Sequence, residues 1–134
     1  MCGRVSTRGK VYTPGSKVPV QYNGIDKEVT WGAYGPSGLV FNARSESVDQ
    51  RPMFKEDWIK NHKMVLSVDQ FYEHGCVVSS KDGQTVKLLC LYLEKFKAFV
   101  VVTQDARAGI EPYHHRMPVV LLPRLEDLKV MRAG

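Results

Sequence analysis

Cysteine is scarce in this chain: three residues in 134, at Cys2, Cys76 and Cys90. No two stand in C-x-x-C spacing, and an odd count without a secretory leader argues against a disulfide framework. No apolar run approaches the ~20 residues of a membrane span, and the first residues lack the apolar centre of a signal peptide. Repeats, low-complexity tracts and linkers are missing as well. These absences predict a single domain over residues 1–134, cytoplasmic or associated with a nucleoid or nucleus, with no membrane partner. Hydrophobic residues make up 43% and charged residues 25%, ordinary values for a globular fold with one core. Acidic residues are the minority charge: fourteen Asp and Glu against nineteen Lys and Arg leave +5. That balance favours an anionic partner such as nucleic acid.

What is present is a series of short β-rich runs separated by turn signals. Residues 17–22, 29–34, 39–43, 63–68, 71–79, 86–93, 98–103 and 117–122 read as strands. Pro14-Gly15 and Gly35-Pro36-Ser37-Gly38 read as turn and loop, and Asp82-Gly83 as a type I′ hairpin turn. Pro52 suits a first helical turn, and Phe54 and Trp58 follow at i,i+4 spacing, so 52–61 reads as a helix. Residues 125–131 read as a second, short one. The run Ala98-Phe99-Val100-Val101-Val102 is apolar on both faces, and Cys76 and Cys90 sit in apolar runs as inert core residues. The fold class is α+β: a mainly β, single compact domain with a curved or barrel-like sheet and few short helices.

Cys2 carries the most chemistry. It follows the initiator in Met1-Cys2-Gly3-Arg4. Removal of Met1 would place an α-amine, with an ordinary pKa of about 7.7–8, and a thiol, at about 8.5, on one residue. Such a 1,2-aminothiol condenses with an aldehyde to an imine and then closes a thiazolidine, which no internal cysteine can do. Left unprocessed, Cys2 is an ordinary second residue.

Other segments concentrate polar groups among apolar ones: Phe41-Asn42-Ala43-Arg44-Ser45-Glu46, Phe71-Tyr72-Glu73-His74 and Tyr113-His114-His115-Arg116-Met117-Pro118. Taken singly, Arg44 reads as a surface cation, Glu73 as a solvent-facing strand residue and the paired histidines as polar surface. Taken together with Met1-Cys2-Gly3-Arg4, Pro14-Gly15 and Trp31-Gly32, in this order, they resemble the SRAP (SOS-response-associated peptidase) family over nearly the whole chain.

The resemblance implies a barrel-like β domain with a positively charged DNA cleft. It implies covalent capture of abasic sites in single-stranded DNA by Cys2, without a cofactor or metal, with strand cleavage through the imine as a further capability. By motif, Cys2, Asn42, Glu73 and His114 form the catalytic set. His115 falls at the variable position of His-x-Arg-Met-Pro. Arg4, Arg44, Arg116, Thr103 and Pro14 would face the DNA, and a monomer is expected. Enclosure beside aromatics would raise the Glu73 carboxyl toward neutrality for proton shuttling. The chain departs from the family pattern in its short length, in Val11 where an asparagine is expected, in His74 where an aromatic is expected, and in a 35–39 loop without tryptophans. A minimal, phage-like version with a weaker grip on DNA is the expectation. Two alternatives remain open at the sequence level: an N-terminal cysteine peptidase or amidohydrolase, and a passive single-stranded nucleic-acid-binding module. A zinc site from Cys2, Glu73, His114 and His115 is a poor fit, because the spacing is irregular and the thiol is needed elsewhere.

Overall fold

The computed structural model describes residues 2–133. The first half of the chain gives β1 (Val5–Thr7), β2 (Lys10–Tyr12), β3 (Lys17–Tyr22), β4 (Ile25–Trp31), β5 (Ala33–Gly35), β6 (Gly38–Val40) and β7 (Asn42–Arg44), followed by helix α1 (Lys55–Ile59). Then come β8 (Lys63–Val68), β9 (Gln70–Glu73), β10 (Cys76–Ser80), β11 (Val86–Leu93), β12 (Ala98–Asp105), β13 (Arg116–Pro118), β14 (Val120–Leu122) and β15 (Leu128–Arg132).

Five strands close into a barrel. Starting from β12, the hydrogen-bonded order is β4, β3, β8, β11 and back to β12, with the β12–β4 contact parallel and the others antiparallel. The curved or barrel-like sheet expected from the strand pattern is therefore a closed barrel. A second, antiparallel sheet in the order β15-β10-β9-β1-β2 packs beside it. The barrel leads directly into this sheet, since β8 ends at Val68 and β9 begins at Gln70.

Strand alternation fills the interior. Val18 and Val20 of β3, Met64, Leu66 and Val68 of β8, Val86, Leu88 and Cys90 of β11, and Phe99 and Val101 of β12 share one buried cluster with Trp31 and Phe71. Trp31 stacks on Phe99 with centroids 6.1 Å apart and meets Phe41 edge-on at 6.3 Å. The opposite face of β12, with Ala98, Val100 and Val102, forms a second cluster with Phe54, Leu91 and Leu93 under α1. This two-sided burial is why 98–102 is apolar on both faces. Cys76 and Cys90 are buried and free, as expected of core residues.

Several expectations need correction. Residues 125–131 are not a helix. Leu125–Asp127 is one 3-10 turn, and β15 then pairs with β10, whose edge would otherwise be open. The helix expected over 52–61 is limited to Lys55–Ile59, with hydrogen-bonded turns on either side. The 29–34 run breaks at Gly32, whose φ of +98° ends β4 and lets β5 leave the barrel; a Cβ there would lie 3.1 Å from the Val40 carbonyl oxygen. Residues 71–79 divide into β9 and β10 around His74-Gly75. Asp82-Gly83 is not a hairpin turn, because β10 and β11 belong to different sheets. Asp82 instead accepts hydrogen bonds from the Ser80 hydroxyl and from the Gln84 N–H. The type I′ signature, positive φ at both central residues, occurs at Arg8-Gly9 between β1 and β2 and at Asn23-Gly24 between β3 and β4.

Phe99 tests the packing. Phe99→Ala removes a fully buried ring stacked on Trp31 and should destabilise the protein by about 3–5 kcal/mol, read by urea unfolding. A loss under about 1 kcal/mol would mean that the barrel interior is not the continuous core described.

Candidate active site

The site lies at the seam between the barrel and the second sheet. The Tyr72 N–H donates to the Arg4 carbonyl at 3.0 Å, carrying the β1–β9 pairing one residue further toward the start of the chain. Cys2 then enters the main buried cluster and is fully enclosed. Its carbonyl accepts a 3.0 Å hydrogen bond from Asn42 Nδ2, which also donates to the Phe41 carbonyl at 2.9 Å. Asn42 is fixed in turn by β7, which lies parallel to β12 with Asn42 opposite Val101. Asn42 Oδ1 is buried without a hydrogen-bond partner.

Glu73 is buried, 2% exposed, on the face of β9 that also carries Phe71. The solvent-facing reading of this residue is therefore wrong. Burial pushes its carboxyl up to about 7, toward neutrality as expected for an enclosed acid. Burial also drives the Cys2 thiol far above its usual range, and the nearby Glu73 carboxylate adds to the effect, while the Arg4 backbone N–H opposes it. The thiol is thus held protonated. A cavity of about 240 Å³ opens beside these groups, lined by Gly3, Arg4, Tyr72, Glu73, His74 and Gly75 among others.

His114 arrives on the β12–β13 connection. Its N–H bonds back to the Ile110 carbonyl at 3.1 Å, and the neighbouring Tyr113 ring lies against the turn at Gly75. The Arg116 N–H donates to His114 Nδ1 at 3.0 Å, and the Arg116 carbonyl lies 3.3 Å from the same nitrogen. Burial lowers the His114 pKa, and His115, stacked at 4.4 Å, and His74, at 6.1 Å, also act against the charged ring.

The arginines divide. Arg4 is exposed and lies over the Tyr72 ring at 4.3 Å. Arg44 is exposed, with Glu46 at 3.8 Å. Arg116, expected at the DNA, is 5% exposed. Its Nη1 donates to Glu46 at 2.5 Å and Asp105 at 2.9 Å, and its Nη2 to Glu46 at 2.9 Å and Thr103 Oγ1 at 3.1 Å. Those hydrogen bonds hold the Glu46 carboxyl down at about 2. Arg116 and Thr103 therefore serve an internal network rather than presenting donors to a phosphate. Pro14 is half-buried at the turn before β3, where the Gly15 N–H donates to the Trp31 carbonyl at 2.7 Å. Sequence reasoning missed Tyr72 as the partner of Arg4 and Asp105 as a partner of Arg116. Spacing carries no signal for either pair.

The profile of the SRAP family, described as SOS response associated peptidase, matches residues 29–130. The chain belongs to the SRAP family. The family links the chain to the SOS response and so to DNA damage. The matched span contains Asn42, Glu73 and His114 and begins after Cys2, Arg4 and Pro14. Solved structures agree in fold. A protein from Bordetella bronchiseptica superposes with a TM-score of 0.82 at 15% identity, covering 99% of this chain and 100% of that one. A phage-related protein from the same organism gives 0.76 at 16%, covering 98% and 94%. A Bacteroides thetaiotaomicron protein gives 0.71 at 14%, covering 92% and 77%. No curated protein matches the sequence.

The Glu73 environment sets a pH dependence. Below about pH 4.5 the carboxyl is protonated in both folded and unfolded chains, so burial is not penalised. Between about 4.5 and 7 the unfolded chain releases this proton and the folded chain keeps it, so stability falls as pH rises. Above about 7 the loss is complete, on the order of 2–4 kcal/mol at roughly 1.4 kcal/mol per pKa unit. Glu73→Gln should flatten this slope and unfold at higher urea than the parent at pH 8. Equal pH slopes for the two proteins would show that Glu73 titrates as an ordinary carboxylate.

Proposed function

We propose that the protein captures abasic sites in single-stranded DNA covalently through Cys2. The observation that carries this reading is the convergence at the seam: the Cys2 main chain held by Asn42, and a near-neutral carboxyl at Glu73 beside the thiol. Met1, whose removal would free the α-amine, lies outside the described residues. Once freed, the Cys2 amine attacks the C1′ aldehyde of the ring-opened sugar to give a carbinolamine. Loss of water gives an imine. The sulfur then adds to the imine carbon and its proton passes to the imine nitrogen, closing a thiazolidine with one water released overall.

Each proton transfer has a candidate carrier. Glu73, poised at about 7, can give a proton to the departing hydroxyl and take one from the thiol as sulfur attacks. His114 is suited by residue type to protonate or hydrogen-bond the sugar ring oxygen as the ring opens. The Asn42 Oδ1 that lacks a protein donor can accept from a sugar hydroxyl. A thiol held protonated is a poor thiolate nucleophile, and this weighs against amide hydrolysis as the main activity. Imine-first capture does not need a preformed thiolate. Arg4, lining the seam cavity, and Arg44, exposed at the end of β7, are the phosphate ligands in this reading.

Mass spectrometry of the intact protein, before and after incubation with abasic single-stranded DNA, tests capture directly. The expected product is a mass increase equal to the oligonucleotide less one water, on chains lacking Met1. Cys2→Ser should give no heat-stable adduct, although borohydride should still trap its imine. A normal yield of heat-stable adduct from Cys2→Ser would refute the thiazolidine.

The arginine division is tested by binding. Arg4→Ala and Arg44→Ala should each reduce the salt slope for single-stranded DNA by about 0.7, the value for one phosphate contact. Thr103→Ala should leave that slope unchanged while lowering stability. A slope altered only by Thr103→Ala would place the phosphates on the wrong groups.

A further inference from the structure

Away from the seam, α1 and the barrel end share a second constellation. Asp57 of α1, His62 just before β8 and Glu94 just after β11 bring one donor atom each to within 4.8 Å of one another, the one such group of His, Cys, Asp or Glu among the described residues. Asp57 and His62 side chains are 14% and 19% exposed, and Glu94 stands at the rim. We propose that this trio is a binding site for a divalent transition cation of the zinc type, clamping α1 to the barrel.

The donor set suits such an ion. One imidazole and two carboxylates are borderline-hard ligands for zinc, cobalt or nickel and are a poor match for the all-oxygen shells of magnesium and calcium. Three protein donors with one side open leave room for water. Adjacent ligand atoms around zinc, at bond lengths of about 2.0–2.2 Å, lie about 3.0–3.5 Å apart. The His62 Nδ1–Asp57 Oδ1 contact of 2.8 Å needs only a small opening to admit the ion.

The backbone holds the three residues in place independently of any ion. The His62 N–H donates to the Asp57 carbonyl at 2.9 Å, and the Tyr92 N–H to the His62 carbonyl at 2.8 Å. The Glu94 N–H donates to Asp57 Oδ1 at 3.2 Å. Asn61, at a φ of +58°, turns the chain so that His62 folds back under the helix. Lys60, just past the end of α1, pairs with Glu56 at 2.8 Å and also feels the Asp57 and Glu94 carboxylates, so a bound ion would compete with it for their charge. A five-residue helix has little stability of its own, so a cross-link at its end has a structural use.

The test uses the full chain, stripped with chelator and dialysed. Calorimetric titration with Zn²⁺, and Co²⁺ absorption as an optical readout, should show one ion per chain. Glu94→Gln, at an exposed position that leaves the fold intact, should weaken Zn²⁺ binding at least tenfold. It should also abolish the Zn²⁺-dependent rise in Tm seen for the parent. His62→Ala should remove binding and the imidazole component of the Co²⁺ spectrum. Absence of stoichiometric binding would reduce the trio to an ion pair and overturn the proposal. So would binding that persists in Glu94→Gln and His62→Ala but disappears when His74, His114 and His115 are replaced.

Discussion

Strand β12 is hydrogen-bonded to four others, and the site is located by those four pairings. Its first residues bond to β4 on one side and β11 on the other, which closes the barrel. Its later residues take β7 in parallel and β13 antiparallel. The parallel β7 pairing places Asn42 opposite Val101, and the β13 pairing sets Arg116 opposite Asp105. Because β12 is buried on both faces, a slip of one residue would exchange its two apolar sets and move both functional segments at once. The fold thus couples barrel closure to the positions of Asn42 and of the His114–Arg116 segment.

The second sheet supplies what the barrel cannot. A closed barrel filled by Val, Leu, Met, Phe and Trp, with the inert thiol of Cys90, holds no carboxylate or imidazole among these interior side chains. The seam, where β1 and β9 run alongside, admits them at the core's edge. There Cys2 and Glu73 are buried with their apolar neighbours, and both are pushed toward neutral forms. Burial at this position works against stability and in favour of proton transfer near neutral pH. An exposed carboxylate would be stable and almost always ionised, hence useless as an acid.

Much of this was legible in the sequence. β3, β8 and β11 coincide with runs of alternating or continuous apolar residues, because each is central in the barrel and its burial dictates its composition. Errors fall where tertiary pairing overrides local signals. Leu125, Leu128 and Met131 carry helical spacing, yet the free edge of β10 recruits 128–132 as a strand. Asp82-Gly83 has hairpin chemistry, but the strands on either side go to different sheets. The residue types of the site were readable from their segments, but Glu73 read singly as solvent-facing, and its enclosure was an expectation only once the segments were taken together as a family resemblance. The partners of Arg116 were not readable, since Glu46 lies 70 residues away and nothing in its spacing marks the pair.

That long-range pair gives Arg116 a different role from the one its residue type suggests. Its guanidinium ties the end of β7, through Glu46, to the end of β12, through Asp105 and Thr103. Its backbone N–H meanwhile fixes His114 Nδ1. One residue therefore holds both this corner and one side of the imidazole. The two glutamates show the consequence. Glu46, paired with a guanidinium, is held ionised at about 2, whereas Glu73, buried at the seam, stays near 7. Two identical side chains are driven to opposite ends of their range, one holding the frame and the other, in the proposed capture reaction, moving protons. Lysine in place of Arg116 would keep the charge but not the fork that reaches Glu46, Asp105 and Thr103 together. Its main effect would be to loosen the Glu46–Asp105–Thr103 corner without altering the net charge of the site, since the backbone N–H that meets His114 is the same in lysine.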